Sequence, residues 1–336
     1  MIKNTFLGLG PMSLEVINSL NFFSKKYNKK IMLICSRNQI ESDKLGGGYV
    51  NNFSTNEFAN FIKKKKNTLL LMSRDHCGPY KRDSKKKTNL KNEVDNCKIS
   101  LLDDIINDFK ILHIDTSKCG HAKYEIAHEL ITFCEEAAKK YNKKIFFEFG
   151  AEDHGVLTNF KKFSKDAKFF SKYSNKQFIV CQTGSLVKSV FQVGQFDIDS
   201  VRIMKKIAQE NGLLLKEHNC DYLNQEQIQL RRQYGINAIN IAPEFGVLQS
   251  NLTYNISKNL GLDKEIKEFK KFVLSKGKWK KWIYNNENDL IKFLSAGHYH
   301  FGAKIYKNLL KKINKKTNFQ NNLNKSIEYN LLKYFN

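Results

Sequence analysis

The feature that most constrains this fold is a regular alternation of short, apolar, β-branched segments with longer amphipathic segments. The alternation occurs eight times. It is typical of a parallel sheet, because parallel strands need a crossover connection and a helix usually provides it. Eight such units in about 250 residues are the size of a closed β/α barrel. We therefore predict an α/β fold, a (β/α)8 TIM barrel with a C-terminal helical extension. A doubly wound open sheet is the alternative.

The strand and helix segments follow from hydrophobic periodicity. The predicted strands are Thr5–Gly10, Ile31–Ser36, Thr68–Ser73, Ile111–Asp115, Lys144–Gly150, Gln177–Cys181, Leu213–His218 and Ala238–Ala242. The predicted helices include Ser13–Lys25, Asn56–Lys65, Ala122–Tyr141, Ser200–Asn211 and Phe245–Asn259.

Two regions depart from the alternation. Lys81–Lys98 is polar, lysine-rich and without periodicity, so we interpret it as a mobile loop over the barrel mouth or a solvated insertion. After Leu262 the alternation stops and amphipathic segments follow. We therefore predict residues 1–262 as the barrel and residues 263–336 as a C-terminal helical extension that packs on it.

Composition narrows the class of protein. The 336 residues are 41% hydrophobic and contain no apolar run long enough for a transmembrane helix or a secretory signal. The seven cysteines form no CxxC pair, which favours reduced thiols in the cytoplasm over a disulfide framework. The net charge of +24 comes from dispersed lysines. Nucleic-acid binding is the less favoured interpretation, because no helix-turn-helix, zinc-finger or aromatic RNA-binding pattern accompanies that charge.

Polar side chains that could carry chemistry follow several predicted strands. The active groups of such barrels lie at the carboxyl ends of the strands, on one face. Imidazole and carboxylate are ligands of catalytic zinc and related ions. We predict a divalent metal, with zinc as the first choice, held by His76, Glu148 and His218, with Asp75 moving a proton. The alternative is that each such residue is a helix cap or turn former. For His113, inside a strand, we favour a core histidine.

The order of these short motifs resembles a known family, the class II tagatose-bisphosphate aldolase accessory-subunit family. The motifs are Asn38-Gln39, Gly47-Gly48-Tyr49, Asp75-His76-x-Gly78-Pro79, Asp115, Glu148 and Glu152, Gln182, and Glu217-His218-x-x-Asp221-Tyr222. The resemblance runs from about residue 5 to residue 260. It implies the fold of metal-dependent class II ketose-bisphosphate aldolases.

The resemblance also implies roles for individual residues. Asp75 would be the acid/base, His76 and His218 metal ligands, and Glu148 and Glu152 acidic groups with metal or proton-transfer roles. We place Glu152 with Asp75 as a catalytic residue. The other strand-end polar residues are predicted to bind substrate, namely Asn38, Gln39, Asp115, Gln182 and Asn240.

Two departures from the aldolases limit what the resemblance implies. Gln182 stands where the aldolases have a ligand histidine, and Asn219-Cys220-Asp221-Tyr222 replaces a glycine-rich phosphate loop. We therefore predict a metal-dependent enzyme on a sugar or sugar phosphate. It would be an aldolase-type carbon–carbon lyase or a closely related epimerase that acts through an enediolate. The alternative is a noncatalytic subunit that supports an aldolase partner. The sequence does not decide whether the chain forms homo-oligomers. We expect no association with a membrane.

Overall fold

A computed structural model describes residues 6–83, 88–150, 159–283 and 287–335 of the chain. Eight parallel strands close into a barrel, and two further strands form a small antiparallel hairpin. In chain order the strands are β1 Leu7–Leu9, β2 Ile31–Ser36, β3 Leu70–Cys77, β4 Ile111–Ile114, β5 Phe146–Phe149, β6 Lys176–Cys181, β7 Val187–Lys188, β8 Phe191–Gln192, β9 Leu214–Glu217 and β10 Ala238–Ile241. Around the barrel the order is β1-β10-β9-β6-β5-β4-β3-β2, and β7 pairs with β8. The predicted (β/α)8 barrel is confirmed.

Helices connect the strands and continue after the last one. They are α1 Leu14–Tyr27, α2 Thr55–Lys63, α3 Leu90–Ile106, α4 Lys123–Lys140, α5 Phe160–Phe170, α6 Ile198–Glu210, α7 Gln225–Tyr234, α8 Pro243–Asn259, α9 Asp263–Ser275, α10 Asp289–Ala296, α11 Lys304–Asn314 and α12 Phe319–Leu332.

The interpretation of Lys81–Lys98 as a loop is wrong from residue 90 onward, where α3 begins. Asn89 caps this helix by accepting a hydrogen bond from the Asn92 amide. Val94, Cys97 and Leu101 are buried at helical spacing, and the lysines and asparagines between them obscure the pattern in the sequence. Residues 84–87 of the predicted loop lie outside the described part of the chain.

Each barrel strand has two different faces, because successive side chains point to opposite sides. Met32, Ile34, Ile111, Phe178 and Ala238 form a small apolar cluster separate from the main core. Their positions identify this cluster as the filling of the barrel interior. Ser36, His113 and Asn240 each lie two positions after one of these residues and so share the inner face. Polar side chains therefore lie above an apolar layer inside the barrel.

The segment after residue 262 packs against the barrel helices. The Ser19 hydroxyl on α1 donates to the Asn324 side chain on α12 at 2.7 Å. The Gln249 amide on α8 donates to the Tyr306 hydroxyl on α11, also at 2.7 Å. These contacts agree with an extension held on the barrel, and the boundary at residue 262 stays a prediction.

Two further expectations concern the cysteines and the membrane. All seven cysteines lie in the described ranges, and all are buried as thiols without disulfide bonds. Within those ranges the structure contains no helix with the length and apolar character needed to cross a bilayer.

A buried ion pair connects β3 to α3, and its removal should lower the stability of the fold. Arg74 donates to both carboxylate oxygens of Asp104 at 2.6 and 2.7 Å, and both side chains are fully buried. We expect Arg74→Met to lower the free energy of unfolding by about 3–5 kcal/mol, because Asp104 would be left as an uncompensated buried charge. Urea denaturation measures this loss.

The matched control is Arg202→Met, since Arg202 pairs with Asp199 at an exposed position on α6. The free energy of unfolding of that variant should stay within about 0.5 kcal/mol of the wild-type value. Equal losses in the two variants would contradict the structural role of the Arg74 pair.

Candidate metal centre and active site

The end of β3 is irregular, and this irregularity presents Asp75 and His76 together. The pairing of β3 with β4 shifts register between Arg74 and Cys77, and His76 has a left-handed φ of 46°. Such a bulge re-aims the side chains next to it. A Cβ on Gly78 would lie 1.7 Å from the Asp115 carbonyl oxygen, so glycine is needed for the close approach of the two strand ends.

Among the described residues, four side chains from three strands or strand ends converge on one point. They are Asp75, His76, His113 and His218, and each offers a ligand atom within 4.8 Å of the others. The ring centroids of His76, His113 and His218 are 4.9 to 5.2 Å apart. His76 and His218, predicted from distant parts of the chain, therefore meet at the barrel mouth.

The orientation of His76 is set by Asp115. The Nδ1 atom of His76 lies 2.7 Å from Asp115 Oδ2, a carboxylate oxygen that Lys81 Nζ also contacts at 2.7 Å. Burial alone would raise the pKa of Asp115, but its bond to His76 and the charges of His76 and other neighbours lower it well below its usual range. An ionised Asp115 keeps a proton on Nδ1 of His76, because a carboxylate oxygen can only accept a hydrogen bond. The Nε2 atom is then the one that could bind a cation.

The orientation of His218 is set in the same way by Glu148. The Nε2 atom of His218 lies 2.6 Å from Glu148 Oε1, and Lys216 Nζ donates to Glu148 Oε2 at 2.5 Å. Burial alone would raise the pKa of Glu148, but Lys216 and the neighbouring histidines lower it. Glu148, predicted as a ligand, is not one of the four converging residues. Its position is that of a carboxylate that orients the His218 imidazole.

His113 belongs to the cluster although the sequence favoured a core histidine. It is fully buried on β4, its Nδ1 accepts a hydrogen bond from the His76 amide at 3.2 Å, and its Nε2 contacts the Gly150 carbonyl at 3.0 Å. The signal that could have found it is strand alternation. Ile111, His113 and Asp115 share one face, and Asp115 was already predicted to lie at the mouth.

A cavity of about 610 Å³ opens above this cluster. Several predicted site residues line it, namely Asn38, Gln39, Asp75, His76, His218 and Asn240. Asn240 donates to Asp75 Oδ1 at 3.3 Å. Asp115 and Gln182 are not among the lining residues, and Asp115 acts behind His76. Glu152 lies outside the described residues.

The C-terminal extension supplies part of the cavity wall, which the sequence did not predict. Trp282, His298 and Tyr299 line it together with Tyr49. The rings of His298 and Tyr299 are 4.1 Å apart. Burial and the neighbouring His300 lower the pKa of His298 to about 3, so this imidazole stays neutral at physiological pH. Trp282, His298 and Tyr299 therefore give one part of the mouth an uncharged, aromatic surface.

Comparisons with known proteins place the fold. No family model matches the sequence, and no curated protein matches it. A structure described as a probable tagatose 6 phosphate kinase from Sinorhizobium meliloti 1021 aligns with a TM-score of 0.82 and 13% identity. This alignment covers 98% of this chain and 99% of that chain. At this identity the likeness concerns the fold alone, a closed β/α barrel.

Two other solved structures align with nearly the whole of this chain. The fructuronate-tagaturonate epimerase from Cohnella laeviribosi has a TM-score of 0.60 and 12% identity, with 99% of this chain and 81% of that chain covered. The fructose-bisphosphate aldolase from Campylobacter jejuni has a TM-score of 0.56 and 13% identity, with 98% and 90% covered. These likenesses concern the fold, so activity has to be argued from the site.

The first prediction from this site concerns metal content. We expect purified protein, stripped and then reconstituted with zinc, to bind close to one ion per chain. His76→Ala and His218→Ala should each remove that ion, because each variant deletes a ligand. His121→Ala, which changes an exposed histidine before α4, should leave binding unchanged. Elemental analysis with circular dichroism as a folding check measures this, and a wild type that binds no ion would remove the site.

The second prediction separates a ligand from an orienting group. If Glu148 orients His218, Glu148→Gln should keep one ion per chain and weaken affinity by about 10–100-fold. Loss of stoichiometric binding would instead make Glu148 a ligand, as the sequence predicted. The double variant Glu148→Gln/Lys216→Met serves as the check on folding, because it removes the buried ammonium that the single variant leaves uncompensated.

Proposed function

We propose that the chain is a metal-dependent enzyme that acts on a sugar or sugar phosphate. The reaction is an aldolase-type carbon–carbon cleavage or a closely related epimerisation. The observation that carries the proposal is the convergence of Asp75, His76, His113 and His218 beneath a cavity at the barrel mouth. The aligned structures, which include an aldolase and an epimerase, support the same chemical class.

The residues present fit a divalent cation. His76 and His218 each have one ring nitrogen engaged by a buried carboxylate, the arrangement that surrounds most metal-ligating histidines. Asp75 offers a further donor atom, and His113 lies in the same cluster with its two ring nitrogens on the His76 amide and the Gly150 carbonyl. Two imidazoles with a carboxylate suit zinc and other first-row divalent ions. A cation bound there would polarise a substrate carbonyl and stabilise the negative charge of an enediolate.

Asp75 is the residue we assign to proton transfer. It lines the cavity, and Asn240 holds its Oδ1. Burial alone would raise its pKa, but the neighbouring imidazoles of His76, His113 and His218 lower it, so the carboxylate is ionised. Cleavage and epimerisation both move a proton or a bond beside a carbonyl carbon. One positioned carboxylate therefore serves either reaction.

The cavity suits a small polyhydroxylated molecule. Its volume of about 610 Å³ lies in the range of small-ligand sites. Amide side chains of Asn38, Gln39 and Asn240 can exchange hydrogen bonds with hydroxyl groups. The aromatic rings of Tyr49 and Trp282 offer flat apolar surfaces for the carbon face of a sugar. These contacts support the proposed substrate class.

A noncatalytic subunit is the second candidate, and one observation favours it. Phe191 and Val193, in and just after the β7–β8 hairpin near the mouth, are 57% and 50% exposed. Exposed apolar side chains that lie together are typical of surfaces that meet a partner protein. This candidate requires no metal and no turnover, so the same experiments decide between the two.

The test of function is solvent deuterium exchange. Zinc-loaded protein would be incubated with ketoses, ketose phosphates and keto sugar acids in heavy water, and proton NMR would follow deuterium uptake, cleavage and epimerisation. We expect at least one substrate to exchange. Asp75→Asn should keep the ion and lose about 10²–10⁴-fold of the rate, because the proton acceptor is gone.

Asp199→Asn, which changes an exposed carboxylate on α6, is the matched control and should react like the wild type. Undiminished exchange in Asp75→Asn would exclude Asp75 from the mechanism. A metal-loaded wild type that is inert to the whole panel would favour the noncatalytic subunit.

A further inference from the structure

The cavity has two chemically different ends, and the barrel topology sets them opposite each other. Strand β10, which leads into α8, lies four strands away from β4 in the eight-stranded barrel. The loops after β3 and β4 therefore face the N-terminus of α8 across the mouth. Lys81 and Lys118 line the cavity on the first side, and Ala242 and Pro243 line it on the other.

Two of the backbone amides at the α8 end are already used by the protein itself. Backbone amides at a helix N-terminus normally form an anion site. Here the amides of Ala242 and Glu244 both donate to Asp221 Oδ1, at 3.0 and 2.8 Å. Pro243, between them, has no N–H group. The protein's own carboxyl group thus occupies the position that a substrate phosphate would need.

The surroundings of Asp221 also oppose further negative charge. Glu244 is buried beside it and accepts hydrogen bonds from the Tyr222 amide at 2.6 Å and the Tyr334 hydroxyl at 3.1 Å. Its other carboxylate oxygen pairs with Lys333 Nζ at 3.1 Å. Burial and the charge of Glu244 raise the pKa of Asp221 well above its usual range. A place where one carboxyl group ionises reluctantly would resist a phosphate even more strongly.

The opposite end has an excess of positive charge. Lys281 and Lys278 share the single carboxylate of Asp83, at 2.6 and 3.1 Å from its Oδ2 atom. Lys81 pairs with Asp115, and the Lys118 ammonium donates to the Tyr80 carbonyl at 2.9 Å. Four ammonium groups thus stand against two carboxylates. Of the four, Lys81, Lys118 and Lys281 line the cavity.

We propose that the cavity selects sugars with one anionic group, a carboxylate or a phosphate, bound by Lys118 and Lys281 beside the β3 and β4 loops. The other end of the substrate, beside α8, carries only hydroxyl groups. A ketose bisphosphate is therefore excluded. The inference rests on the proposed function, because it names the substrate class of that same site.

The experiment uses four unreactive six-carbon probes that differ only in their ends: D-glucitol, D-gluconate, D-glucitol 6-phosphate and D-glucitol 1,6-bisphosphate. Calorimetric titration would be run on zinc-loaded and on metal-stripped protein, with the zinc content measured in each sample. We expect at least one single-anion probe to bind about tenfold more tightly than D-glucitol, and the bisphosphate about tenfold more weakly than the monophosphate. Comparison of gluconate with the monophosphate identifies the preferred anion.

Variants of the two ends test the assignment of residues. Lys118→Met and Lys281→Met should each weaken the single-anion probes by about fivefold to tenfold and leave D-glucitol unchanged. Lys206→Met, an exposed lysine of α6, is the matched control. Asp221→Ala leaves the two amides without their acceptor and should reduce the difference in affinity between the bisphosphate and the monophosphate. Asp221→Asn keeps an acceptor oxygen for the two amides and should preserve that difference in affinity.

Three results would each overturn the inference: no measurable binding of either single-anion probe, a bisphosphate that binds as tightly as the monophosphate, or lysine variants that behave like the wild type. The metal measurements keep this failure apart from that of the proposed function. Protein that binds no zinc but still prefers one anionic end loses the proposed function and keeps the polarity of the cavity. Protein that binds zinc but prefers the bisphosphate keeps the proposed function and loses the inference about the two ends of the cavity.

Discussion

The hydrogen bond between Glu148 and His218, inside the barrel, is the contact on which the candidate site depends. Glu148 can be buried and ionised because Lys216, two residues before His218 on the same strand face, supplies the compensating charge. Removing either charge would leave the other in a medium that solvates it poorly. The same carboxylate fixes the ring of His218 toward His76 and His113. A charge pair below the mouth thus sets the geometry of the groups at the mouth.

Much of the fold could be predicted from the sequence because its periodicities are local. The eight strand segments are short, largely apolar runs between amphipathic stretches, and all eight overlap strands of the barrel. The hairpin β7–β8 was not predicted, since two-residue strands have no period to detect. Helix α3 was hidden because its surface positions carry Lys and Asn, which resemble a loop in composition. Its buried positions carry the helical signal.

The site was predictable in part, for a related reason. Asp75, His76 and His218 follow strands and could be placed at one edge of a parallel sheet. The division of labour between binding and orienting groups could not be read from the sequence, because it depends on which carboxylate lies behind which imidazole. Glu148 and Asp115 show this. The contribution of Trp282 and Tyr299 depends on how the extension folds back, and no local pattern encodes that.

The bulge at the end of β3 has a consequence for how a barrel can display two neighbouring residues. In a regular strand adjacent side chains face opposite ways, so a residue that looks into the lumen is followed by one that looks toward the helices. Asp75 and His76 both line the cavity, because the bulge interrupts the alternation of side chains between the two faces of β3 at that point. Regularising those few dihedral angles would leave an intact barrel with one of the pair turned into the helical layer. The arrangement of the side chains at this mouth therefore depends on one irregular strand end in an otherwise regular barrel.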